Sequence, residues 1–101
     1  MEPMTKIVYN ACYGGFSISS LAIERYWEIK GEEKPDDWSQ YDIERTDPVL
    51  IRVIEELGHD ADGDCADLYV KELPKGTLYR IDEYDGLETV MTIDEYHWLV
   101  A

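Results

Sequence analysis

An α+β fold is predicted by three features of the chain. Two segments, 19–30 and 47–57, carry apolar residues at three- and four-residue spacing between a capping residue and a glycine. Four shorter runs, 5–12, 66–73, 77–84 and 87–93, are rich in β-branched and aromatic residues. The last two are joined by Asp85-Gly86, a dipeptide suited to a type I′ hairpin. The order β-α-(β)-α-β-β-β gives two helices packed on one face of a small, mostly antiparallel sheet of about four strands. A length of 101 residues fits a single domain, 1–101.

The first run, TKIVYNAC, is a strand with Ile7, Tyr9 and Ala11 on one face and Val8 and Asn10 on the other. The first strand is expected to join the later meander. Gly14-Gly15 ends it, since paired glycines admit positive φ. Ser19, with Ser17 as the alternative, caps the first helix, and Gly31 follows its last turn behind Lys30. Residues 32–40 form a polar loop, and Tyr41–Glu44 is expected as a short edge strand. Thr46 or Asp47 caps the second helix, with Pro48 in its first turn. Val49, Leu50, Val53, Ile54 and Leu57 line its core face, and Gly58 ends it.

The two-residue hairpin loop sets the final register. Tyr84 should oppose Leu87, Ile81 should oppose Val90 and Tyr79 should oppose Thr92. Glu83 then opposes Glu88, a like-charge pair that costs up to about 1 kcal/mol. A short helix is expected to start at Asp94.

The charge narrows the function. Nine Lys and Arg face 23 Asp and Glu, for a net charge of −14. The basic residues form no run, so direct binding to nucleic acid or an anionic membrane is not expected. An acidic surface instead suits solubility, or a basic protein partner. Glu55, Glu56, Asp60, Asp62, Asp64 and Asp67, with Asp82, Glu83, Asp85 and Glu88, are the candidate carriers of such a face. No apolar window is long enough for a membrane span, and no secretory signal is visible. Cys12 and Cys65 are too few for a disulfide framework and read as reduced thiols.

Catalytic and metal motifs are not expected. Asp60-Ala61-Asp62-Gly63-Asp64 opens like a calcium loop, but the sixth position is Cys65 rather than Gly and the twelfth is Lys71 rather than Glu. His59 and His97 have no partner at a metal-binding spacing. The chain is therefore read as a non-enzyme with no cofactor. Cys12-Tyr13-Gly14-Gly15-Phe16-Ser17 lacks the spacing and lysine of a P-loop. It is read as a turn, or as a ligand or partner contact through Tyr13, Gly14, Gly15 and Ser17 with Arg45 or Arg25 as the cation. Tyr13 is expected to be exposed and Phe16 buried. The eight Tyr and three Trp suit contact surfaces, with Trp38 and Trp98 the candidates for contacts or a homo-oligomer seam.

Four strings, YNACYGGFSIS, DIERTDPVLIRVIEELG, ADLYVKELP and YRIDEYDGLE, together resemble a family of small, functionally unassigned proteins of tailed phages and prophages. The resemblance covers most of residues 5–93. It implies a phage context and a host-cytoplasm location, and it assigns no activity. The leading expectation is a small acidic protein that engages a host or phage protein, in an inhibitory or anti-defence role. The alternatives are sequestration of a small molecule or nucleotide by the CYGGFS loop, and a virion or morphogenesis component.

Overall fold

The structure is a computed structural model that describes residues 4–92. The expected helix start at Asp94, the strand end at Ile93 and the contact candidate Trp98 lie outside the described residues. The class is α+β, with two helices and four antiparallel strands.

Strand β1 (Met4–Asn10) pairs antiparallel with β2 (Leu68–Pro74), with Val8 opposite Val70 and Asn10 opposite Leu68. Strands β3 (Tyr79–Tyr84) and β4 (Leu87–Thr92) form the hairpin in the expected register, with Ile81 opposite Val90 and Glu83 opposite Glu88. Asp85 and Gly86 both take positive φ, 52° and 90°, as a type I′ turn requires. The strands form two two-stranded ladders rather than one continuous sheet, and β1 joins β2 alone.

Period-two alternation along β1 explains this division. Val8 belongs to the main core, with Leu68, Phe16, Ile18, Tyr26 and the buried residues of the second helix. Ile7 belongs to a second, smaller core with Leu73 and Val90, flanked by Tyr9 and Ile81. One face of the β1–β2 ladder thus carries the helices and the other carries the β3–β4 hairpin.

Helix α1 (Ser20–Lys30) begins at Ser19, whose hydroxyl accepts from the Ala22 N–H. It ends at Gly31 in the left-handed region. Helix α2 (Pro48–Leu57) begins at Asp47, whose Oδ1 accepts from the Val49 N–H at 2.8 Å. Asp47 Oδ2 accepts the Tyr26 hydroxyl at 2.7 Å, so one carboxylate caps α2 and ties α1 to it. Burial pushes the Tyr26 phenol well above its ordinary range, and the Asp47 carboxylate adds to the shift. Leu50, Ile51, Val53 and Ile54 are buried on the inner face of α2.

The expected edge strand at Tyr41–Glu44 is instead a single turn of 3₁₀ helix over Gln40–Asp42. The Ser39 hydroxyl accepts from the Tyr41 N–H and starts the turn. Only Ile43 of the segment is buried, so alternation over these few residues marks one anchored side chain, not a strand.

The open edge of β1 is covered by one backbone carbonyl and one carboxylate. The Val8 N–H donates to the Arg45 carbonyl at 2.9 Å. The Asn10 N–H donates to Glu88 Oε1 at 2.9 Å. Arg45 and Glu88 meet as a two-pronged ion pair at 2.5 and 2.8 Å. Strand donors that would otherwise invite another chain are thereby satisfied within this one.

Candidate functional site

The glycine turn is built into this covered edge. The Asn10 side-chain amide donates to the carbonyls of Cys12 and Gly86, at 2.7 and 2.8 Å, and its oxygen accepts from the Asp67 N–H. The Gly14 N–H donates to the Asp85 carbonyl. The hairpin tip therefore packs directly on Gly14 and Gly15. Ser17 donates its hydroxyl to the Asp64 carbonyl at 3.3 Å, and its own carbonyl accepts from the Gly63 N–H. Phe16 is buried, with the Arg45 guanidinium 3.7 Å above its ring centre. Tyr13 remains 57% exposed.

These contacts change the reading of several candidates. Arg45 was expected as a cation for a ligand and Glu88 as part of an acidic face. They are paired with each other, and Glu88 is only 7% exposed. Glu88 is removed from the acidic face because the edge of β1 and the Arg45 fork need its carboxylate. The opposed Glu83 and Glu88 meet less repulsion than expected, since Arg45 neutralises one of them.

The other acidic candidates are divided among local partners. Glu55 pairs with Lys6 at 2.8 Å. Glu56 takes Arg25 through two bonds, at 2.7 and 3.0 Å, and the hydrogen bond from Arg25 holds its carboxyl below the usual range. Asp82 pairs with Arg80. Asp64, Glu83 and Asp85 are exposed. Asp62 and Asp67 lie with His59, whose Nδ1 is 2.9 Å from one carboxylate and 3.3 Å from the other. The hydrogen bond to Asp62, followed by the charges of Asp62 and Asp67, raises the His59 pKa.

A second surface lies along α1. Trp38 packs on Trp27 edge-to-face at 5.5 Å and stacks on Tyr26 at 6.1 Å. It is half-buried, so its role is partly structural. Lys30 lies 5.2 Å from the Tyr26 ring centre and 5.1 Å from that of Trp27. Beside this cluster is an open groove of 580 Å³, with Ile23 and Trp27 among its apolar lining and Glu24, Glu28, Glu32 and Lys34 around it. A smaller hollow continues past Ile23 and Lys34 to Trp38 and Tyr41, and Tyr41 is 70% exposed. Among the described residues, Trp27 Nε1 is the buried side-chain polar atom without a hydrogen-bond partner.

Sequence reasoning missed this groove. Ile23 and Trp27 stand at the four-residue spacing of a core-facing stripe, and only the run Glu24, Glu28, Glu32 at the same spacing could have signalled an acidic rim.

No helix among the described residues is long and apolar enough to cross a membrane. Comparison of the chain with protein-family models, curated proteins and solved structures finds no match.

Proposed function

We propose that this chain is a non-enzymatic, phage-encoded binding protein that acts in the host cytoplasm by docking a basic, amphipathic protein segment along α1. One observation carries the reading: an apolar groove floored by Ile23 and Trp27 is lined by Glu24, Glu28 and Glu32 and by Lys34, with Arg25 paired to Glu28 and Lys30 over the Trp27 ring. Apolar area supplies affinity there, and the acids select a cationic partner and speed its approach. The net charge of −14 extends the same preference over the molecule. Inhibition of a host enzyme or defence protein follows if that segment belongs to one. The phage and host assignments rest on the resemblance of the four sequence strings. The glycine turn offers less to a small ligand, because Arg45 is engaged by Glu88 and the hairpin tip occupies Gly14 and Gly15.

The test is titration of the protein with a synthetic helical peptide of Leu on one face and Lys on the other, followed by tryptophan fluorescence and calorimetry. A one-to-one complex that weakens with added salt is expected. Ile23→Asp should abolish it, and Glu24→Lys with Glu32→Lys should weaken it at low salt. Equal binding by wild type and both variants would overturn the reading, as would no binding at low salt.

A further inference from the structure

The turn between α2 and β2 gathers three metal-ligating side chains that the spacing along the chain does not reveal. His59 comes from a 3₁₀ turn over Gly58–Ala61, Asp62 follows that turn, and Asp67 directly precedes β2. One donor atom from each lies within 4.8 Å of the other two. Three donors bound at about 2.0–2.2 Å to one tetrahedral ion stand roughly 3.3–3.6 Å apart. The present separations, 2.9 Å from His59 Nδ1 to Asp62 Oδ2 and 3.3 Å to Asp67 Oδ1, need only small side-chain adjustments to reach that geometry.

The Asp62 carboxylate and the Asp67 backbone are also held in place. Asp62 Oδ1 accepts the Leu68 N–H at 3.0 Å, which leaves Oδ2 directed at the imidazole. The Asp62 backbone is bridged to Ile18. The Asp67 N–H donates to the fully buried Asn10. The Tyr69 ring lies edge-on to His59 at 5.9 Å. Oriented ligands of this kind are what a metal centre requires of its surroundings.

We propose that His59, Asp62 and Asp67 form a binding site for one divalent transition-metal ion of the zinc type. One imidazole nitrogen and two carboxylate oxygens suit such an ion, whereas calcium and magnesium favour oxygen alone. His59 is 69% exposed on its side chain, so the remaining coordination positions face solvent. The site is independent of the groove on α1.

Calorimetric titration with Zn²⁺, with Ca²⁺ as the comparison ion, tests the assignment. One Zn²⁺ per chain is expected, with the melting temperature raised and the His59 ring resonances shifted in the NMR spectrum. Ca²⁺ should give no comparable binding. His59→Ala and Asp67→Asn should each weaken Zn²⁺ binding by at least about tenfold. Both positions are exposed enough for the variants to fold, which circular dichroism checks. His97→Ala and Cys65→Ser should leave binding unchanged. Absence of one-to-one Zn²⁺ binding, equal affinity in His59→Ala, or loss of the ion in His97→Ala or Cys65→Ser would overturn the proposal.

Discussion

A Cβ on Gly86 would overlap the Gly15 backbone nitrogen and lie 2.6 Å from that of Gly14, whereas a Cβ on Gly15 would meet nothing within 4 Å. Both glycines have positive φ, 90° and 96°. Gly15→Ala should therefore cost only backbone strain, about 1–2 kcal/mol. Gly86→Ala should cost clearly more, because the hairpin must also move off the turn. Urea denaturation of the two variants separates these outcomes, and equal losses would show that the close approach contributes nothing. Arg45 supports the same junction. Arg45→Ala leaves the Glu88 carboxylate buried without its partner and should cost about 3–5 kcal/mol. Glu55→Ala, at an exposed pair, should cost no more than about 1 kcal/mol. A loss at Arg45 as small as that at Glu55 would refute the edge-covering role.

At the scale of elements, α2 depends on Asp47 and Asp47 depends on Tyr26. The Tyr26 phenol is raised in the folded state above the unfolded value of about 10. Its contribution to stability is complete below that pH and is lost as pH rises toward the folded value. Tyr26→Phe should cost about 0.5–1.5 kcal/mol at neutral pH by removing the bond to Asp47. It should also flatten the alkaline decline of stability between about pH 9 and pH 11. Parallel declines in the variant and wild type, measured by urea unfolding at both ends, would refute the linkage. The caps of both helices and the hairpin register were legible because each is decided within a few residues: Ser19 by Ala22, Asp47 by Val49, Asp85-Gly86 by its own turn type. The Arg45–Glu88 pair was not, since its members stand 43 positions apart and neither carries a local signal. His59 and Asp67 are only eight positions apart, but that spacing matches no metal motif, and the turn that joins them was not legible. Tyr41–Glu44 misled because alternation around one buried isoleucine resembles a strand until its length is weighed.

Over the whole molecule, the ion pairs at Lys6, Arg25, Arg45 and Arg80 engage only part of the nine cations and leave a large negative surplus. Self-repulsion of that surplus lowers the stability of the compact state and is screened by salt. Raising NaCl from about 10 mM to about 0.5 M should raise the melting temperature, by roughly 4–8 °C for each kcal/mol of repulsion relieved. A constant or falling melting temperature would mean that the exposed pairs outweigh the surplus.

The covered edge of β1 also has a consequence for synthesis. β1 leaves the ribosome before the strands it packs against, and its Asn10 N–H finds its acceptor 78 positions later, at Glu88. At about 5–20 residues per second that interval lasts roughly 4–16 s. Ile7 waits for Leu73 until β2 is made late in that interval, and for Val90 until after it. The strand made first in this fold therefore has its cover completed by the strand made last.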